Sequence, residues 1–316
     1  MTFAVVGTGL IGQAWSIVFA RAGYPVRLWD GDARALEAAR VLIDGQLADL
    51  HRHGLIDDPA GVAARMTFCA TLEDALAGAE YVQESLPERR EIKEQIFARM
   101  DAIAAPHTIL ASSTSSIPAS VFTESTPGRA RCLIAHPVNP PYLVPVVEIC
   151  GAPWTDPDVV ERAARLMDEV GQAPVIIRRE LEGFILNRLQ GALLREAFRL
   201  VEQGYVDADG LDVTLREGLG LRWAFMGPFE TIDLNAPGGL ADYCERYGEL
   251  YRSIATEQTD TEAWSEALIA SLHQARRAAT PDTQLPHRRR WRDHKLMQLA
   301  ALKQAMRRED ETPSGD

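Results

Sequence analysis

Gly7-Thr-Gly9-Leu10-Ile11-Gly12 limits what this chain can become more than any other stretch. An apolar run, Thr2-Phe-Ala-Val-Val, enters it directly, and Gln13–Ala22 leaves it with helical spacing before Gly23. That reads as a buried strand, a tight turn and a helix. The glycines let the backbone N–H groups at the helix start approach a pyrophosphate. A second strand, Pro25–Asp30, ends in an acid eighteen residues after Gly12. An acid at that tip accepts from both hydroxyls of a ribose and repels a phosphate placed on it. The motif therefore predicts a dinucleotide site made by Gly7, Gly9, Leu10, Ile11, Gly12 and Asp30, with NAD rather than NADP as cofactor. Arg34 argues the other way by charge, but on a helix face it reads as a solvated side chain.

Strand and helix patterns keep alternating up to residue 182. Ala33 to about His53 and Pro59–Ala64 read as a helical hairpin, then Met66–Cys69 and Tyr81–Glu84 as strands around a helical turn at Leu72–Gly78. Ser85-Leu-Pro-Glu88 follows at a strand's carboxyl end, where open α/β sheets hold their ligands. The helix Arg89–Ala104 carries Lys93 near its start. Glu88 and Lys93 could face a nicotinamide ribose, but the sequence by itself favours an ordinary first-turn acid and a surface lysine. Thr108–Ser112 is the next strand and ends in five consecutive hydroxyl residues, Ser112–Ser116. Such a loop either starts a helix or holds a substrate hydroxyl or carboxylate. A strand at Arg131–Ala135, a helix at Asp156–Gly171 and a last strand at Ala173–Ile177 complete this half.

The segment from His136 to Glu148 carries Pro137, Pro140, Pro141 and Pro145, which exclude a helix. It hangs between apolar runs, so its ends should meet with Glu148 behind His136. A carboxylate in that place raises an imidazole's basicity and fixes its tautomer. The same spacing also fits a buried histidine satisfied by a neighbouring acid.

From Phe184 onward the apolar spacing is helical. Phe184–Val201 reads as a long, largely buried helix interrupted near its start by Asn187 and Arg188. Asp207 begins a second helix, Gly218–Glu230 reads as a glycine- and aromatic-rich connection, and helices at Asp260–Ala279 and Pro286–Met306 follow. Thr312–Asp316 is expected to be disordered. Arg222 in the connection offers a planar fork for a substrate carboxylate, or else caps a helix or pairs with Glu217. The cluster His287–Arg292 reads as a solvated helix face. The fold class is thus α/β: a Rossmann-type doubly wound sheet over residues 1–182, then an all-α domain over 183–316 for substrate binding and dimerisation.

An excess of 45 acidic over 33 basic residues, a net charge of −12, opposes nucleic acid or an anionic membrane as partner. No apolar run approaches the roughly 20 residues needed to span a bilayer. The N-terminus enters a strand without a basic or cleavable leader, and Cys69, Cys132, Cys150 and Cys244 form no Cys-x-x-Cys pair. These features predict a cytoplasmic protein with reduced cysteines, no metal site and a small-molecule substrate.

Taken together, Gly7-x-Gly-x-x-Gly12, Ser-Leu-Pro-Glu88 with Lys93, Thr-Ser115-Ser, His136 with Glu148, Gly183-Phe-x-x-Asn187-Arg and Met226-Gly-Pro-Phe-Glu230 resemble the 3-hydroxyacyl-CoA dehydrogenase superfamily. Within it the chain is most similar to the L-gulonate 3-dehydrogenase (lambda-crystallin) branch. The resemblance covers the whole chain. It implies that His136 is the base, paired with Glu148. It also implies that Ser115 and Asn187 hold substrate, that Glu88 and Lys93 contact cofactor, and that the protein is a homodimer. Asn139 joins the expected substrate residues. His136-Pro-Val-Asn-Pro-Pro-Tyr resembles the gulonate branch, whereas the CoA enzymes carry His-Phe-Phe-Asn. Position 113 is Ser where the CoA enzymes carry Asn in Ser-Asn-Thr-Ser.

The chemistry agrees. Oxidising a secondary alcohol with NAD requires a base on the hydroxyl proton, and a serine or asparagine can stabilise the forming oxygen. Relatives that use a lysine base on the interdomain helix are excluded, because Asn187 stands there. Three readings follow. One is a dehydrogenase of a small 3-hydroxy acid, L-gulonate by resemblance. The second is a dehydrogenase of 3-hydroxyacyl-CoA or carnitine. The third is a crystallin-like structural protein that keeps a cofactor site, which the intact His136, Glu148, Ser115 and Asn187 disfavour. The hairpin Ala33–Arg65 has no lysine for a CoA phosphate, though Arg34, Arg40 and Arg52 weaken that argument. Trp223, Phe225 and Tyr243 could cage a carnitine ammonium.

Overall fold

Eight apolar segments pair into one sheet in the order β3-β2-β1-β4-β5-β6-β7-β8. They are β1 (Phe3–Val6), β2 (Val26–Trp29), β3 (Met66–Phe68), β4 (Tyr81–Glu84), β5 (Ile109–Ser112), β6 (Cys132–Pro137), β7 (Val146–Gly151) and β8 (Ala173–Ile177). The computed structural model describes residues 1–259 and 262–311, with side chains to 309. Every neighbouring pair is parallel except β6 and β7, which are antiparallel. The exception follows from chain length. Parallel neighbours need a crossover, whereas β6 and β7 are joined by a short proline-rich turn. The seven strands named from the sequence are present, and the apolar run that ends the proline-rich segment forms β7.

Helices α1 (Leu10–Arg21), α2 (Ala33–Arg52), α3 (Pro59–Ala64), α4 (Leu72–Leu76), α5 (Arg90–Ile103), α6 (Ala119–Thr123) and α7 (Pro157–Glu169) cover the sheet's two faces. Trp15 and Phe19 of α1, Leu47 and Leu50 of α2 and Met167 of α7 share one core with Phe3, Tyr81 and Ala135. Phe97, Met100 and Phe122 share the other with Val6, Val82 and Ile134. Phe3 stacks on Phe19 with ring centroids 4.2 Å apart. Each such buried side chain contributes about 1.5–3 kcal/mol, which makes the strand tips a firm platform.

The remaining helices are α8 (Phe184–Glu202), α9 (Ala208–Val213), α10 (Gly220–Trp223), α11 (Pro228–Leu234), α12 (Gly239–Ala255), α13 (Glu266–Ala279) and α14 (Leu285–Glu311). Contacts divide the chain into two compact units, Met1–Asn187 with the segment from Arg289, and Arg188–Arg288. The expected boundary at 182/183 therefore differs in two ways. The first turn of α8 belongs to the sheet-bearing unit. So does most of α14, because Met297 is 2 % exposed within the first core.

In the second unit, Asp207 caps α9 by accepting from the Gly210 N–H at 2.7 Å, as its position suggested. The segment expected as a connection, Gly218–Glu230, is helical up to Trp223 and again from Pro228, which leaves only residues 224–227 as the link. Thr214–Leu219 forms a π-helical turn between α9 and α10, and the Gly220 N–H donates to the Leu215 carbonyl five residues back. A Cβ at Gly220 would lie 2.9 Å from that oxygen, so the glycine permits the wide turn. Nor is α8 largely buried: Leu189 is 66 % and Leu193 37 % exposed. The start expected for α13, at Asp260, lies outside the described residues, as does the tail Thr312–Asp316.

Candidate active site

The glycine turn is shaped by close approach on one side and open space on the other. Gly7 has φ +95°, and a Cβ there would come within 2.9 Å of the Ser85 carbonyl. At Gly12 a Cβ would strike the carbonyl oxygen of Gly7, whereas nothing lies within 4 Å of the Cβ position on Gly9. Gly9 is the N-cap of α1 and offers no side chain to its first N–H groups. Open space above Gly9 and uncapped donors at a helix N-terminus fit a pyrophosphate. Asp30 Oδ2 accepts from the Thr8 backbone N–H at 2.7 Å and hydroxyl at 3.0 Å, holding the acid at the turn. Arg34 is turned away to Asp32, 3.4 Å distant, with its side chain 93 % exposed. These residues fit NAD.

On the far side of β5, His136 and Glu148 are direct partners across the antiparallel pair. Nδ1 of His136 lies 2.8 Å from Glu148 Oε2. Both residues are buried, and the Phe184 ring packs beside the imidazole at 5.3 Å. Glu148 Oε1 accepts from the Ile185 and Leu186 N–H groups, each at 2.9 Å. One carboxylate thus holds the imidazole with one oxygen and caps the first turn of α8 with the other. Burial pushes the Glu148 carboxyl up, but the hydrogen bonds from His136, Leu186 and Ile185 outweigh it and hold it below the usual value. The helix enters through two left-handed residues, Gly183 at φ +74° and Phe184 at φ +50°. A non-glycine residue held there costs about 1–3 kcal/mol. His136 Nε2 makes no hydrogen bond among the described residues, so with Nδ1–H toward Glu148 it is an open acceptor.

Glu88 organises the serine loop. Its carboxylate accepts from the Ser115 N–H at 3.1 Å, the Ser116 N–H at 3.1 Å and the Thr114 hydroxyl. Burial raises its pKa, but the Thr114 bond, the Lys93 charge and the loop amides outweigh that and leave it lowered. Asn187 joins the loop from α8: its amide donates to the Ser115 carbonyl at 2.8 Å. Ser115 is exposed, and its hydroxyl is unengaged among the described residues. His136, Glu148, Ser115, Asn187 and Glu88 thus belong to one connected cluster at the strand tips.

Lys93 departs from both of its sequence readings. It is 1 % exposed beneath the loop, and its ammonium donates to Glu84 Oε1 at 3.1 Å, Glu84 Oε2 at 3.0 Å and Ser112 Oγ at 3.3 Å. An ammonium has three protons, so none remains for a ribose. Glu84 was missed in the sequence. Its signal was an acid within an apolar strand nine residues before a lysine on the following helix. Asn139 is exposed in the turn after β6, and Arg222 is exposed on α10 in the second unit. Glu217 is paired with Arg216, not Arg222, at 2.6 Å.

Fold and site together define an NAD-dependent dehydrogenase that acts on a CH–OH group. The chain belongs to the 3-hydroxyacyl-CoA dehydrogenase family, whose NAD binding domain matches residues 2–181 and whose C-terminal domain matches residues 183–270. It is 44 % identical to the lambda-crystallin homolog of Bos taurus over 305 residues, covering 95 % of each chain. It is 38 % identical to L-carnitine dehydrogenase of Streptomyces griseus over 276 residues, 86 % of this chain and 82 % of that one. Among solved structures, an NAD+-dependent dismutase, 5-formyl-3-hydroxy-2-methylpyridine 4-carboxylic acid 5-dehydrogenase, matches with TM-score 0.82 and 25 % identity, covering 97 % of this chain and 98 % of that one. Among the described residues no helix is long and apolar enough to cross a membrane, and no cluster of three or more His, Cys, Asp or Glu is placed to hold a metal ion.

Proposed function

We propose that this protein oxidises the 3-hydroxyl of a small hydroxy acid, L-gulonate to 3-dehydro-L-gulonate, with NAD. The observation that carries the reading is the buried His136–Glu148 pair at 2.8 Å with Nε2 left open. NAD supplies the hydride acceptor. His136 Nε2 takes the hydroxyl proton, while Glu148 holds Nδ1–H and stabilises the imidazolium. The Ser115 hydroxyl and Asn187 orient the substrate oxygens, and Asn139 and Arg222 are assigned to a hydroxyl and to the carboxylate. Glu88 keeps the serine loop in place beside the cofactor. The resemblance of the His136-Pro-Val-Asn-Pro-Pro-Tyr segment to the gulonate branch supports the small-acid reading.

Carnitine, also a 3-hydroxy acid, is the second reading. The similarity to L-carnitine dehydrogenases favours it, together with a cluster in α12 where Tyr243 lies 4.6 Å from the Tyr247 ring. Rates of NAD reduction with L-gulonate, 3-hydroxybutyrate, carnitine and 3-hydroxybutyryl-CoA separate these readings. The proposal expects the highest kcat/KM with L-gulonate; preference for carnitine or the CoA ester refutes it. The protein acts in the cytoplasm as a homodimer in this reading; the exposed apolar residues Ile185, Leu189 and Leu193 of α8 support the dimer. A monomeric mass by light scattering at micromolar concentration contradicts the dimer.

A further inference from the structure

Behind the serine loop, a polar strip interrupts the core on the face that carries α1. Tyr81 and Gln83 of β4 and Ser85 just beyond it are spaced by two and share that face. Ala111 of β5 stands directly beside Gln83 in the ladder, and its single methyl leaves room for the amide to cross β5. Gln83 is fully buried, which costs free energy unless its amide is satisfied. Its Oε1 accepts from the Tyr81 hydroxyl at 2.9 Å, and its Nε2 donates to Ser113 Oγ at 2.7 Å and to the Ala135 carbonyl at 3.2 Å. A flipped amide would set its oxygen against the Ala135 oxygen, so the orientation is fixed. Ala135 is the residue before His136.

Ser113 is the hub of the strip. Its Oγ accepts from Trp15 Nε1–H at 3.1 Å and from Gln83 Nε2–H at 2.7 Å, filling both lone pairs. Its own proton therefore goes to Ser85 Oγ at 2.9 Å. One hydroxyl thus joins α1, which follows the glycine turn, to the tip of β4 and, through Gln83, to the backbone that carries His136. Ser115 lies two residues further along the same loop.

We propose that Ser113 is a positioning residue for the reaction, whose hydroxyl fixes where the Ser115 loop stands relative to His136. The proposal rests on the reading that both act on one substrate hydroxyl. A misplacement on the order of 1 Å at such a site costs about a hundredfold in rate. Ser113→Ala removes the acceptor for Trp15 and Gln83, and kcat per NADH-binding site should fall at least about tenfold with NADH affinity little changed. Ser113→Thr keeps the acceptor and should restore most of the rate. Gln83→Leu cuts the same link from the other side, so Gln83→Leu/Ser113→Ala should be no slower than the slower single variant. If Ser113→Ala is too unstable to assay, Ser113→Cys, close in size but a weak acceptor, takes its place.

Wild-type kcat in the Ala or Cys variant, failure of Thr to restore it, or additive losses in the double variant overturns the proposal. His136→Ala runs alongside. If that variant keeps its turnover, the catalytic reading has failed. If it is inactive while Ser113→Ala runs at the wild-type rate, only the positioning role has failed.

Discussion

Glu148→Gln isolates what the carboxylate does for His136, because an amide cannot make both of its contacts. Glu148 Oε2 faces Nδ1 at 2.8 Å and Oε1 faces two N–H groups of α8 at 2.9 Å each. A glutamine has one acceptor oxygen and one donor NH2. With its oxygen toward Nδ1, the NH2 would press on the two helix N–H groups and leave them without acceptors, at about 1–3 kcal/mol each. The opposite orientation keeps both backbone bonds and wins. Its NH2 then faces Nδ1, which must become the acceptor, and the ring proton moves to Nε2. That tautomer cannot take a proton from the substrate. Turnover should fall by about 10²–10⁴-fold, the usual worth of a general base, with NADH affinity retained. Steady-state NADH formation together with an NADH titration measures both. A Gln variant that binds NADH and turns over at nearly the wild-type rate refutes the reasoning.

The same variant has a sign in acid. Because the folded Glu148 carboxyl is held below its ordinary value, the folded state binds fewer protons than the unfolded chain between the two values. Its contribution is complete above the ordinary carboxylate pKa of about 4.3 and drains away as pH falls through the lowered folded value. The gap in melting temperature between wild type and Glu148→Gln should therefore narrow as the pH is lowered through that window. A gap that widens in acid contradicts the assignment.

Asp30→Ala should narrow the preference for NAD over NADP, measured as the ratio of kcat/KM values; an unchanged ratio removes Asp30 from the ribose site. Lys93→Met strands the fully buried Glu84 carboxylate and should cost about 3–5 kcal/mol in urea unfolding, with part recovered by adding Glu84→Gln. A loss under about 1 kcal/mol would show that the buried pair matters little. Arg222→Met should raise KM for a hydroxy acid more than it lowers kcat, with a smaller effect on an uncharged analogue. An unchanged KM places the carboxylate elsewhere.

Local pattern announced much of this structure. The apolar run into Gly7-x-Gly-x-x-Gly12 and the acid at the tip of β2 marked the parallel sheet and its dinucleotide turn. Prolines between His136 and Glu148 marked a short connection, and the strands on either side pair those two residues in register. What stayed hidden depends on long-range burial. Lys93 looks like a surface lysine because helix position alone does not reveal that Glu84 and Ser112 lie beneath it. Gln83 and Ser113 read as strand and loop polars until Ala111 opens a path between them. The π-helical turn of the second unit was hidden because two glycines, Gly218 and Gly220, look like breakers where one of them admits a wider helix. That most of α14 packs with the sheet-bearing unit was not legible, because its few apolar residues, Leu296 and Met297 among them, give no sign of which core they join.

The most direct test of the account is the turnover of His136→Ala, measured as NADH formation from the substrate that the wild-type enzyme prefers. NADH binding is followed by fluorescence in the same preparation. The glycine turn and Asp30 are untouched by the change, so NADH should bind as it does to the wild type. Turnover should fall by about 10²–10⁴-fold. If the variant binds NADH and reduces NAD at the wild-type rate, His136 is not the base and the proposed mechanism is wrong.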